Sequence, residues 1–250
     1  MRLTRLFVCF ASLVLVAPCF SQTSTTAPAT PKTATTHAAS PYDRALLRPA
    51  LLKDTAPATY QVKFDTTRGE FTVTVHRDWA PHGADRFYNL VKHHYYDGAR
   101  LYRVIPGFVA QFGVSAHPPV NAAWGDARIK DDPVTQKNLR GTLTFAKTSE
   151  PNSRTTELFF NLKDNTGLDG QGFAPFAVVD GQGMNVVEMF YDQYPDPASG
   201  NEQPAMRKGG EKYIAGKFPK LDTIKSATIV GAAASPAKPS STAAPAKPKS

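Results

Sequence analysis

The sequence predicts a mainly β fold, an antiparallel barrel or sandwich, on three observations. Residues 60–65 and 71–76 alternate apolar and polar side chains strictly, the period of half-buried strands. Further short apolar runs recur along the chain, at 101–105, 108–113, 143–146, 158–162, 176–180 and 224–230. Only two stretches, 83–94 and 184–191, are read as helices. Many short strands with two helices argue for an antiparallel architecture.

Taken in order, residues 1–21 read as a secretory signal peptide. Arg2 and Arg5 give the positive start, and 6–16 is an apolar run too short for a stable membrane anchor. Cys19-Phe20-Ser21 places small residues where a signal peptidase inspects, so cleavage before Gln22 is expected. The alternative is lipidation of Cys19, which Pro18 fits poorly. Residues 22–58 form a linker. Its first part, 22–41, is rich in Thr, Ala and Pro and lacks the apolar surface to offset ordering, so it reads as a spacer. Its second part, 42–58, has room for one short helix packed on the domain.

The domain is expected over 59–231. Its first two strands are joined by the Gly-bearing turn 66–70 into a hairpin. A helix follows at 83–94, with Ala84, Phe87, Leu90 and Val91 on one face and Pro81 just before it. Residues 115–138 are polar and Pro-bearing and read as a long loop, of the kind that borders a site. Residues 192–216, with Pro, Gly and mixed charge, read as an extended loop. The last segment, 232–250, is Ala, Pro, Lys and Ser and reads as a disordered tail.

Composition narrows the chemistry. A hydrophobic content of 41% is enough for a core. The net charge of +8 is concentrated in the ends: without Arg2, Arg5, Lys32, Lys238, Lys247 and Lys249 about +2 is left, so no nucleic-acid partner is called for. The two cysteines, Cys9 and Cys19, both fall in the leader. The expected domain therefore has no disulfide, thiol nucleophile or cysteine metal site.

The most informative stretch is 101–113, a strand, a Pro-Gly turn and a second strand. Arg103 and Gln111 interrupt its apolar side chains, and an unpaired buried charge is costly enough to need a reason. Arg103-Val104-Ile105-Pro106-Gly107-Phe108 running to Gln111 and Gly113 resembles the signature of the cyclophilins. Two further blocks match in order: 141–162, through Phe145-Ala146-Lys147 and Phe159-Phe160-Asn161, and 168–187, from Leu168-Asp169-Gly170.

The resemblance implies a closed eight-stranded antiparallel barrel capped by a helix at each end, and a peptidyl-prolyl cis-trans isomerase. It implies Arg103 as the catalytic residue, and Phe108, Val109, Gln111, Ala146, Lys147, Glu157, Phe159, Leu168 and Phe173 as substrate-binding positions. No cofactor and no metal are implied, the substrate is a proline-containing polypeptide, and a monomer is the usual form. With the leader, the expected setting is the periplasm or the cell exterior of a bacterium, where the enzyme assists folding of exported proteins. The alternative is a proline-peptide-binding chaperone module with little turnover. A weaker rival is an envelope scaffold using the tail.

Five positions depart from the family pattern. Glu157 stands where Gln is usual and is placed to pair with Arg103. Gly167 replaces an aromatic residue and Val109 a methionine, and Phe173 stands where many eukaryotic members carry histidine and bacterial ones often an aromatic or aliphatic residue. Lys147 takes a position often held by Asn. Plainer readings stand beside these: Arg103 as a structural ion-pair partner, Phe108 and Phe159 as core, and Gln111 as a surface strand residue. The histidines lack metal-ligand spacing, with His93 and His94 adjacent on a helix. Gly113-Val114-Ser115-Ala116-His117 lacks the closing glycine of a nucleophile elbow. Asp131-Asp132-Pro133 reads as a turn.

Overall fold

Eight antiparallel strands form one sheet in the order β3-β4-β6-β5-β7-β2-β1-β8. The structure is a computed structural model that describes residues 40–197 and 202–232. The leader, most of the spacer and most of the expected tail lie outside the described residues. The strands are β1 (Thr59–Thr66), β2 (Gly69–His76), β3 (Arg103–Ile105), β4 (Val109–Phe112), β5 (Thr142–Phe145), β6 (Leu158–Asn161), β7 (Pro175–Val179) and β8 (Ile224–Ala232). The sheet curls into a half-barrel around an aromatic core. The Phe64 ring stacks on Phe71 at 5.0 Å and meets Phe112 and Phe160 edge-on at 6.0 and 5.9 Å. Strict alternation supplies this core: Tyr60, Val62, Phe64, Val73 and Val75 are buried from alternate positions of β1 and β2.

The edge strands β3 and β8 do not run as a ladder, but the chain leading into them is stitched together. Gly98 N–H donates to Ile224 O at 2.8 Å, Ile224 N–H to Ala99 O at 2.8 Å, and Leu101 N–H to Asp222 O at 3.0 Å. Arg100 and Thr223 form an isolated antiparallel bridge.

Helix α1 (Pro81–Lys92) starts two residues earlier than the expected 83, because Pro81 occupies the first helical position, where its missing N–H costs nothing. The carboxylate of buried Asp132 accepts from His82 and Gly83 N–H at 3.0 and 2.9 Å, capping that terminus from a distant loop. Asp132 is held in turn by buried Arg154 at 2.9 Å.

The described residues hold four α-helices rather than the expected two. Helix α2 (Pro118–Trp124) lies inside the stretch read as a loop. Pro118 and Pro119 look like loop punctuation, but they initiate the helix, and Trp124 behind them is buried and donates to Leu46 O at 2.8 Å. Helix α3 (Gly183–Val187) is shorter than expected. Helix α4 (Glu202–Lys217) replaces the expected extended loop at 192–216. Its sequence hides it: Pro204 sits in the first turn and Gly210, at φ 57°, breaks the helix into two pieces. A Cβ at Gly210 would meet Ala116 O at 2.5 Å, so this close approach needs glycine. Met206 and Ile214 of α4 join Tyr102, Val114 and Leu221 in a second small apolar cluster. The short helix foreseen within 42–58 is two 3₁₀ turns, Arg44–Leu47 and Pro49–Leu51, the second beginning with Pro49.

Candidate active site

Register assembles the site. In the β3–β4 hairpin Arg103 lies directly opposite Gln111, and on the next strand Gln111 lies opposite Phe159. Cross-strand partners share a face, so Arg103, Gln111 and Phe159 form one row across three strands. Phe108 leads into β4, and its ring centre lies 5.8 Å from the Arg103 guanidinium carbon. Ala146 and Lys147 follow β5, where Ala146 N–H donates to Glu157 O at 2.8 Å. Leu168 comes from the 3₁₀ helix Thr166–Gln171, and Phe173 follows it. The Phe173 ring meets that of Phe159 edge-on at 5.8 Å.

These residues line one cavity of about 280 Å³. All ten positions expected from the sequence border it: Arg103, Phe108, Val109, Gln111, Ala146, Lys147, Glu157, Phe159, Leu168 and Phe173. Its lining combines apolar and aromatic side chains with polar ones, which include Thr148, Ser153 and Thr155, with Gln203 and Arg207 from α4.

The expected pairing of Glu157 with Arg103 does not occur. Arg103 is gripped by Asp196, with Nε to Oδ1 at 2.7 Å and Nη2 to Oδ2 at 3.0 Å. Its Nη1 donates to Gln111 Oε1 at 3.2 Å. Glu157 is buried and turned elsewhere: it accepts from Tyr102 Oη, from Gln111 Nε2 at 3.1 Å, and from Arg207 Nη2. The physical reason is reach and charge: α4 brings a second guanidinium to Glu157, while a Pro-rich segment brings a carboxylate to Arg103. Tyr102 ties the network together, accepting from Gln111 Nε2 at 2.7 Å and from Gln203 Nε2 at 3.2 Å. Burial, with Glu157 beside it, pushes the Tyr102 hydroxyl well above its ordinary value, so it stays a neutral donor. The Glu157 carboxylate holds the Arg207 guanidinium above its usual value although burial works the other way.

Gly167 borders open space: a Cβ there would have no neighbour within 4 Å. Sequence reading missed Asp196, Arg207, Gln203 and Tyr102. For Asp196 no signal exists, since 93 residues separate it from Arg103. Glu157 did signal Arg207: a carboxylate at a buried position implies a cation, though not which one.

Residues 61–208 match the family described as cyclophilin type peptidyl-prolyl cis-trans isomerase/CLD. A peptidyl-prolyl cis-trans isomerase of Acinetobacter baylyi is 34% identical over 180 residues, covering 70% of this chain and 94% of that protein. Peptidyl-prolyl cis-trans isomerase B of Escherichia coli is 34% identical over 136 residues, covering 51% of this chain and 81% of that protein. Among solved structures, a cyclophilin type isomerase of Cryptosporidium parvum aligns with a TM-score of 0.51 at 19% identity, over 69% of this chain and 98% of that one. The same Cryptosporidium protein crystallised in the presence of the dipeptide Ala-Pro aligns with a TM-score of 0.50 at 20% identity, over 68% and 98%. At those identities the structures speak for the fold alone. The fold and the site define a mainly β protein with an arginine-edged apolar slot. The chain belongs to the cyclophilin-type peptidyl-prolyl cis-trans isomerase family.

Proposed function

We propose that the protein accelerates rotation about X–Pro peptide bonds, with Arg103 as the catalytic group and the aromatic slot as the proline site. The uncatalysed rotation crosses a barrier of about 18–20 kcal/mol and takes tens of seconds or longer. No covalent bond breaks, so the catalyst must favour the twisted amide over either planar form. On twisting, the proline nitrogen loses resonance and becomes a better hydrogen-bond acceptor. A fixed cation that donates to it stabilises the twisted form selectively. Arg103 fits this role: it is always charged, and three of its N–H groups are engaged by Asp196 and Gln111. Two more, one on each Nη, have no partner among the described residues.

The observation behind this reading is the cross-strand row of Arg103, Gln111 and Phe159 along one cavity. In the proposed pose Phe108, Val109, Phe159, Leu168 and Phe173 enclose the pyrrolidine ring. Gln111 orients Arg103 and the substrate carbonyl, and Ala146 and Lys147 contact the substrate main chain. Exchange NMR on an X–Pro tetrapeptide at substoichiometric protein tests it. Faster cis–trans exchange supports the reading, and an unchanged exchange rate sinks it.

The leader at 1–21 supports an exported, bacterial protein acting on folding chains in the periplasm or outside the cell. Recovery from the envelope or medium of a form beginning at Gln22 is the expected outcome; retention of the full-length chain inside the cell overturns it. The described 99–101 and 222–224 contacts support closure of the sheet into a barrel. A monomer acting without a metal completes the proposal. One observation favours a second reading, a proline-peptide binder with little turnover: next to the slot residue Leu168, Gly167 offers no side chain, and a Cβ there would meet nothing within 4 Å. Peptide binding without exchange enhancement would select it.

A further inference from the structure

We propose that Asp196 is a positioning residue for the reaction, presented to Arg103 by a rigid strap, Tyr194-Pro195-Asp196-Pro197. This rests on the isomerase reading above. The first observation is the two-point grip: both carboxylate oxygens meet the arginine, at 2.7 Å on Nε and 3.0 Å on Nη2. A paired contact of that kind fixes the roll of the guanidinium plane, which a single hydrogen bond leaves free. With Gln111 on Nη1 at 3.2 Å, every nitrogen of the group is held.

The second observation is the construction of the strap. Pro195 and Pro197 fix their own φ, and each restricts the residue before it, so Tyr194 and Asp196 have little backbone freedom. Tyr194 anchors the segment, its ring against Tyr191 at 5.0 Å and Phe218 at 5.2 Å, both edge-on. Lys220 N–H donates to its hydroxyl at 3.3 Å. The strap lies along β3, bordering a small crevice with Tyr102, Arg103 and Val104. The Asp196 carboxylate therefore arrives preset, and the arginine surrenders less rotamer freedom when substrate binds. The Arg103 side chain is only 17% exposed and that of Asp196 32%, so water screens the pair incompletely.

Full-length wild-type protein is compared with Asp196→Ala, Asp196→Asn and Arg103→Ala. NMR on an X–Pro tetrapeptide gives the on-enzyme interconversion rate and the peptide Kd separately, and ¹⁵N spectra follow the Arg103 Nε–H. The expected result for Asp196→Ala is about a 10-fold slower interconversion, with Kd within about twofold of wild type. Loss of the protected Arg103 Nε–H signal accompanies it. Asp196→Asn, which keeps one acceptor oxygen, recovers about a third of the lost rate. An interconversion rate in Asp196→Ala equal to or faster than wild type overturns the proposal, as does an unchanged Nε–H signal. If Arg103→Ala is slow while Asp196→Ala matches wild type, positioning alone fails. If Arg103→Ala is itself as fast as wild type, the isomerase reading fails with it.

Discussion

Replacing Arg207 with alanine leaves the Glu157 carboxylate as a buried charge without its cation. The Glu157 side chain is 8% exposed, and that of Arg207 48%. For a fully buried pair, removing one partner costs about 3–5 kcal/mol. Half of Arg207 already faces water, and solvent entering its place rehydrates part of the carboxylate, which lowers the expected cost to about 1–2 kcal/mol. Tyr102 and Gln111 remain as donors to Glu157, so the site does not collapse. For a domain of this size the melting temperature should fall by roughly 3–6 °C. Calorimetry on wild type, Arg207→Ala, Glu157→Gln and the double variant measures it. Glu157→Gln removes the charge that needs a cation, so the double variant should recover most of the loss, with a coupling of about 1–2 kcal/mol. Additive effects in the cycle would be the contrary result, because they would mean that Arg207 and Glu157 do not depend on each other.

Phe64→Ala empties the centre of the aromatic core, where the ring touches Phe71, Phe87, Phe112 and Phe160, and should cost about 3–5 kcal/mol in chemical denaturation. Gly113 sits at φ 117°, and a Cβ there would lie 2.4 Å from Thr156 O, so Gly113→Ala should destabilise by at least about 3 kcal/mol or fail to fold, read as lost soluble yield. Burial holds the His117 imidazole below its ordinary value of 6.5. The unfolded chain then binds the proton more readily, so this group's contribution is intact above the unfolded value of 6.5 and is lost as pH falls from there towards the folded value. Denaturation midpoints between pH 7 and pH 5 should fall less in His117→Gln than in wild type, about equal falls being the contrary result.

Strands were legible because their period is two and their ends are marked. The β1–β2 hairpin, the β3–β4 hairpin and the aromatic row through Phe159 all follow from local pattern plus the family motif. The cavity lining expected from the motif is assembled by register, which that pattern constrains strongly. The α2 and α4 helices were not legible, for opposite reasons. Pro118-Pro119 imitates a loop while starting a helix, and α4 is broken at Gly210 with few apolar positions to show a face. The charge partners were the least legible part. Glu157 pointed to Arg103 as its partner, yet the path of α4 brings Arg207 to it instead. Asp196 answers to Arg103 across a distance in sequence that no spacing rule spans. Local physics thus wrote the curled sheet, and long-range packing wrote the electrostatics behind it.

In the proposed mechanism the Arg103 guanidinium lowers the rotational barrier while the apolar slot merely holds the ring. The direct measurement is kcat/KM for an X–Pro peptide with wild type and Arg103→Ala, alongside the peptide Kd. Removing the guanidinium should lower kcat/KM about 100-fold with Kd changed by no more than about threefold. Turnover within about twofold of wild type, or a loss that tracks Kd throughout, would contradict it.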